Sequence, residues 1–191
     1  MLAQTLIFLI TTAGDLFVLA LLLRFILQWA RAPARNQLSL FLAALTDFIV
    51  RPARRVIPGW WGIDFATLLL AWLVAGLELW VVLSIKGYQP GSTPGIALAA
   101  MGALAALNLI RLAIYIVMAA VVVQAILSWV QPYSALTPLL SSVTRPFLRP
   151  FQKRVPTIAN VDLAPFFVLI ICQLLLAVPL VWLEATVGRL L

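Results

Sequence analysis

Four ionisable side chains stand inside stretches that are otherwise too apolar for them: Asp15, Glu78, Arg111 and Glu184. A charge in hydrocarbon is costly and is read first as functional, so three acids and one arginine near one depth would form a polar cluster or vestibule. The plainer reading is interfacial placement with one structural pair, such as Glu78–Arg111. A second group of side chains is basic. Arg51, Pro52, Arg54, Arg55 and Pro58 precede Asp64, and Arg149, Pro150, Lys153, Arg154 and Pro156 precede Asp162. Such clusters suit anionic headgroups, at about 1 kcal/mol per Lys or Arg near a charged surface. Enzyme chemistry has little to draw on. Histidine is absent, which removes His-based triads, ordinary zinc catalysis and His-ligated haem. Ser84, Ser128 and the Thr11–Thr12 pair have no base beside them, and no phosphate-binding Gly-rich loop or CxxC occurs. The expectation is a non-enzyme with no metal site and no cofactor.

The two basic groups are one element written twice. Arg51 and Arg149 stand 98 positions apart (149 minus 51), as do Asp64 and Asp162 (162 minus 64). A repeat at fixed spacing must be recognised before any fold is considered. Of the 191 residues, 64% are hydrophobic and 10% charged, and the mean hydropathy is +1.12. Soluble domains carry about 25% charged residues, so lipid must be the main solvent here. The length suits about four spans of roughly 20 residues with connections. They are expected over residues of about 6–29, 64–85, 106–130 and 162–187. Cys172, the only cysteine, excludes an intrachain disulfide and reads as a small buried hydrophobe.

Between the first two spans, Leu38, Phe41, Leu42, Leu45, Phe48 and Ile49 recur at helical spacing; Leu136, Leu139, Leu140, Val143, Phe147 and Leu148 do so between the last two. Each set predicts an amphipathic helix, lying in the membrane surface or packed on protein. The prolines that follow are expected to break helix continuity. Asp64 reads first as the N-cap of the second span, with Ile63 and Leu68 as a hydrophobic staple and a proton or cation site as the alternative. Val161, Asp162 and Phe166 repeat the device. Arg24, one turn before Trp29, is placed to snorkel to headgroups. Residues 87–95 form a loop. The 35 residues from Ile96 to Val130 are too many for one span, so 96–105 is expected to be an extra Ala-rich lead with no counterpart in the first copy, Trp129 matching Trp29. Pro179 is expected to kink the last span.

Nine of the 13 Lys and Arg residues lie in the two basic connections, five in the first (Arg31, Arg35, Arg51, Arg54, Arg55) and four in the second (Arg145, Arg149, Lys153, Arg154). In a soluble protein the net charge of +7 would suggest nucleic acid; here the positive-inside rule accounts for it, and direct nucleic-acid binding is not expected. Both connections then face the cytoplasm and both termini face outward. The expected fold is an all-α membrane protein of four transmembrane helices, arranged as two parallel two-helix repeats, each with a cytoplasmic amphipathic helix between its spans. The division is 1–86, a linker with helical lead at 87–105, and 106–191.

Thr46, Asp47, Arg51, Pro52, Arg54, Arg55, Ile57, Pro58, Gly62, Ile63 and Asp64 resemble the motif of the YggT family, bacterial integral membrane proteins. The second copy matches it again at Thr144, Pro146, Leu148, Arg149, Pro150, Lys153, Arg154, Pro156, Asp162, Leu163 and Pro165. Phe48, Phe65-Ala66-Thr67 and Arg145 depart from it. The resemblance implies a multi-pass inner-membrane protein connected with osmotic or extracytoplasmic stress and ion homeostasis. Plastid relatives resemble factors for cytochrome haem maturation and nucleoid distribution, and Gram-positive relatives lie among cell-division genes. It supplies no catalytic residues. The leading expectation is membrane organisation or stress response through the basic elements, with anionic lipid, a membrane protein or a second copy as partner. A small channel or transporter and an assembly factor are the alternatives; direct haem ligation would have to use Met or Cys172.

Overall fold

The computed structural model describes residues 1–33, 36–57, 64–88, 94–131, 134, 136–154 and 162–191, with the backbone but not the side chain of Trp129. Pro58, Pro156, Ile63 and Val161 lie outside the described residues. Helices account for all of the regular structure among the described residues. They are α1 (Leu2–Trp29), α2 (Gln37–Val56), α3 (Phe65–Ile85), α4 (Pro94–Val130), α5 (Thr137–Gln152), α6 (Ala164–Leu175) and α7 (Val181–Gly188).

Four helical stretches are long and apolar enough to cross a membrane: Leu2–Trp29, Phe65–Ile85, Pro94–Ser128 and Ala164–Gly188. Their most apolar windows bury only 17–28% of their residues within the protein. Phe8, Leu77, Trp80, Leu98 and Trp182 point outward. Helices apolar on all sides yet mostly unburied need hydrocarbon around them, and the chain is a multi-pass membrane protein.

Small residues draw the spans together, as is usual where no hydrophobic effect drives helices to associate. Ala71 and Ala75 of α3 and Ala105 of α4 join Val18 and Leu21 of α1 in one buried cluster. Gly102 is required by its neighbour: a Cβ there would lie 3.0 Å from the Trp72 ring, whose Nε1 donates to the Gly102 carbonyl at 2.8 Å.

The expected Ala-rich lead is the first part of α4 itself. Its 37 residues, about 55 Å at the α-helical rise, form one helix. Ala97 and Ala100 are buried, and Leu98 and Met101 share a cleft with Trp72, Leu73 and Trp80. The lead therefore neither lies flat nor re-enters; it continues α4 alongside α3. In the last span a π-turn, Leu176–Leu180, separates α6 from α7 and contains Pro179. Proline removes one i→i−4 bond and crowds the preceding turn, and a wider turn relieves both.

α2 and α5 occupy the same end of the molecule. Leu42 of α2 and Leu139 and Val143 of α5 share one cluster with Ile26 and Leu27 of α1 and Ile116 and Ala120 of α4. The two hairpins are therefore parallel, each with its amphipathic helix between its spans.

One expectation fails here. Pro52 and Pro150 do not end their helices: α2 runs through Pro52 to Val56, and α5 through Pro146 and Pro150 to Gln152. Proline's fixed φ is already helical, so the loss is one hydrogen bond and a local clash. All three prolines stand on exposed sides, where that distortion is absorbed.

Candidate functional site

The first elbow, where α1, α2 and α3 meet, is built on two arginines that each tie separate helices together. Arg24 leaves α1 within its apolar run, and its guanidinium is only 14% exposed. Its Nη1 donates to Thr46 Oγ1 at 2.7 Å and to Asp47 Oδ1 at 2.8 Å, both on α2. Thr46 Oγ1 in turn donates to the Leu42 carbonyl at 2.6 Å, which leaves the oxygen's lone pairs for Arg24. Arg51, one turn on, reaches Asp47 Oδ2 at 2.7 Å. The hydrogen bond from Arg24 holds the Asp47 carboxyl below the usual carboxylate range; burial acts in the opposite direction, and the charges of Arg24 and Arg51 add to the lowering. Arg24, expected to snorkel to headgroups, instead turns to Thr46 and Asp47 of α2.

Asp64 caps α3 as expected, Oδ1 accepting the Thr67 N–H at 3.3 Å. It is only 4% exposed. Its Oδ2 accepts from Arg54 Nε at 3.1 Å, from Arg54 Nη2 and from the Thr67 hydroxyl. Burial pushes its carboxyl upward, but the hydrogen bonds from Arg54 and Thr67 and the Arg54 charge outweigh it, and the net shift is downward. Arg54 Nη2 also donates to Gln28 Oε1 at 3.1 Å, fastening the end of α1 to the same group.

The second elbow keeps the positions and changes the chemistry. Gln124 stands 100 positions after Arg24 (124 minus 24), and its Oε1 accepts from the Thr144 hydroxyl. Thr144 Oγ1 also lies 2.9 Å from the Leu140 carbonyl, where Thr46 donates to Leu42, and its single proton serves one of these two acceptors at a time. Arg145 occupies the place of Asp47, and Gln152 that of Arg54. Gln152 Nε2 donates to Asp162 Oδ2 at 2.7 Å. Asp162 is exposed and is not the N-cap: α6 begins at Ala164 with Leu163 before it, and Asp162 Oδ1 accepts the Ala164 N–H at 2.8 Å. Pro165 in the first turn, where no donor is required, moves the start of this helix one residue on. Arg55, Arg149, Lys153 and Arg154 are exposed, and Arg51 is 77% exposed despite its bond to Asp47.

The intramembrane residues do not pair as expected. Arg111 of α4 bonds Glu184 of α7, not Glu78. Glu78 faces α1 instead: a Cβ at Gly14 would collide with its carboxylate, Asp15 is its ionisable neighbour, and its Oε2 is buried without a hydrogen-bond partner among the described residues. The four residues resolve into two sets, one on α1–α3 and one on α4–α7, because Arg111 and Glu78 face different neighbours.

Sequence reasoning named the exposed cations and missed the joints: Arg24, Gln28, Gln124 and Gln152 carried no site assignment. The repeat itself held the signal. Arg54 and Gln152, 98 positions apart, each stand ten positions before a capping-region aspartate, and Arg24 and Gln124, 100 apart, keep the spacing of Trp29 and Trp129.

Two parallel hairpins with polar elbows at one end define a small, internally duplicated membrane protein. A family model described as CCB3/YggT matches residues 3–85 and 103–183, once per hairpin. The chain belongs to this family. An uncharacterized protein of Pseudomonas aeruginosa is 34% identical over 171 residues, covering 88% of this chain and 85% of its own length. The uncharacterized YggT protein of Escherichia coli K12 is 32% identical over 169 residues, covering 88% and 85%. An uncharacterized protein of Haemophilus influenzae is 30% identical over 173 residues, covering 89% and 88%. No solved structure matches.

Proposed function

We propose that this chain is a non-enzymatic protein of the bacterial inner membrane that organises the cytoplasmic leaflet, in the service of osmotic or extracytoplasmic stress. The supporting observation is the pair of elbows at one end. On α2, Phe41, Leu45 and Phe48 are exposed beside Arg51 and Arg55; on α5, Leu136 and Phe147 are exposed near Arg149, Lys153 and Arg154. Exposed apolar side chains set beside exposed cations, of which Arg51 is paired with Asp47, suit the boundary between acyl chains and anionic headgroups. The positive-inside rule then places the elbows in the cytoplasm and both termini outside. Anionic lipid is the first partner, and a membrane protein or a second copy would use the same face.

The test replaces cations that hold no carboxylate. In the triple variant Arg55→Gln/Lys153→Gln/Arg154→Gln, the preference for spin-labelled phosphatidylglycerol over phosphatidylcholine should fall at least fivefold, at about 1 kcal/mol per residue. An unchanged preference overturns the reading. A channel or transporter is the second reading, favoured by the unpartnered Glu78 oxygen beside Asp15. Ion flux in proteoliposomes that Asp15→Asn and Glu78→Gln abolish would put it first.

A further inference from the structure

A cavity of about 380 Å³ opens between α1 and α2 at the first elbow, at the small end of ligand-pocket sizes (about 300–1,000 Å³). Arg24, Arg31 and Arg54 line it, with Gln28 and Ser39 and a few short apolar side chains. No carboxylate is among the lining residues. Asp47 and Asp64, which fix Arg24 and Arg54, stand outside the lining. Arg24 and Arg54 are thus positioned by ion pairs from outside the lining, and Arg31 brings the cavity a charge with no ion pair among the described residues. Among the described residues, Arg24, Arg51 and Arg54 share the carboxylates of Asp47 and Asp64.

Donors remain for a ligand. Both hydrogen bonds of Arg24 leave from Nη1, and those of Arg54 from Nε and Nη2. Among the described residues, Arg24 Nη2 and Arg54 Nη1 are unspent. Gln28 accepts through its oxygen and keeps its amide N–H groups. Ser39 lies in the first turn of α2, at the positive end of that helix. Arg31 forms no ion pair among the described residues and has φ +50, the left-handed region that a long side chain rarely adopts. This backbone is the Schellman close of α1, the Arg31 N–H donating to the Gln28 carbonyl at 3.0 Å and the Ala32 N–H to the Leu27 carbonyl at 2.9 Å, and it sets an unpaired arginine at the cavity.

The duplication supplies an internal comparison. The corresponding cavity of the second copy is about 150 Å³ and is lined by Gln124, Leu127, Ser128, Thr137 and Leu140. These occupy the repeat positions of Arg24, Leu27, Gln28, Ser39 and Leu42. Gln131 and Gln152 stand where the first copy has Arg31 and Arg54. The site kept its place in the fold and lost every cation.

We propose that the α1–α2 cavity binds one phosphate-bearing anion, for which planar guanidiniums offer paired donors. The source is a lipid headgroup or free phosphate; the lipid source rests on the reading that the elbows face anionic lipid, and the free-phosphate source does not.

The full chain, purified and reconstituted in phosphatidylcholine nanodiscs, is titrated with phosphatidylglycerol in one arm and inorganic phosphate in the other, following the thermal midpoint and, by native mass spectrometry, the number of lipids retained. One-to-one saturable binding of either probe is the expected result, and the tighter probe names the source. Arg31→Gln should weaken that binding about tenfold, the loss of one charge-assisted hydrogen bond. Arg24→Gln/Arg31→Gln, which installs the residues of the second copy, should remove it, and Arg189→Gln, at the exposed end of α7 and in neither proposed site, should not change it. Absence of one-to-one binding for both probes, or unchanged affinity in Arg31→Gln, overturns the proposal. Because Arg31 bonds no carboxylate, its variant should fold. The triple surface variant of the preceding section leaves this cavity intact, so a failure there and a failure here are separate results.

Discussion

The first elbow of this protein is joined by ion pairs; the second keeps the same skeleton with glutamines where the first has Arg24 and Arg54, its Thr144 as buried as Thr46 but its Asp162 exposed where Asp64 is buried. Arg24 meets Thr46 and Asp47 where Gln124 meets Thr144, and Arg54 meets the buried Asp64 where Gln152 meets the exposed Asp162. The spans differ in the same sense. Ala71 and Ala75 help close the first hairpin, whereas an apolar cleft of about 450 Å³ remains between α4, α5 and α6 of the second. One scaffold therefore tolerates either kind of joint, provided each buried polar group finds a partner. What the charged version adds is not needed to hold a hairpin of this kind, since the second does without it. That separates the structural requirement of the fold, a hydrogen-bonded joint, from a chemical property of the first copy alone, a set of fixed cations.

The largest effect should come from deleting the two aspartates in turn. Asp64→Ala removes a cap and leaves Arg54 half-buried with no carboxylate, and should cost about 2–3 kcal/mol of stability. Asp162→Ala removes an exposed hydrogen bond and should cost about 0.5–1 kcal/mol. Unfolding of each variant in the same nanodisc measures both, and equal losses would dissolve the contrast between the elbows.

Acid should separate the copies next. The carboxyls of Asp47 and Asp64 are held below the ordinary value of 3.8 in the folded protein. Around that pH the unfolded chain binds more protons than the folded one, so the stabilisation is complete above 3.8 and is lost as pH falls through the lower folded values. The thermal midpoint should therefore drop on acidification below 3.8, and Asp47→Asn/Asp64→Asn should flatten that part of the profile. The Gln124–Thr144 joint has no proton to gain. A profile as steep in the double variant as in the wild type would show that the sensitivity resides elsewhere.

The smallest change sharpens the comparison. Gln152→Arg rebuilds in the second copy the pair that Arg54 makes in the first, but against an exposed partner. It should add no more than about 0.5 kcal/mol, the usual worth of a surface ion pair. A gain of several kcal/mol would mean that sequence identity, and not burial, makes the first elbow strong.

The chain announces its architecture because hydrophobicity and charge act over whole segments. Four apolar runs, two amphipathic stripes and two basic connections suffice for two parallel hairpins, since a bilayer admits few other arrangements of such segments. The stripes at 38–49 and 136–148 became α2 and α5, and Asp64 became a cap because that role depends on a few adjacent residues. Pairing at a distance was not legible. Arg111 could face Glu78 or Glu184, and only the rotation of α4 selects Glu184; Arg24 could reach for water or for α2, and only the closeness of Asp47 decides it. The prolines of α2 and α5 misled because a single residue's preference is small beside the packing of a helix whose other face is buried.

From its sequence alone, then, this protein was set to live in lipid, to repeat itself and to gather its cations at the elbows, because each of these follows from averages along the chain. That three of those arginines line one cavity, with their carboxylates outside the lining and a neutral twin in the other half, was settled only when the helices packed. Distance and burial fix the strength of a charge interaction, and both are properties of the folded arrangement.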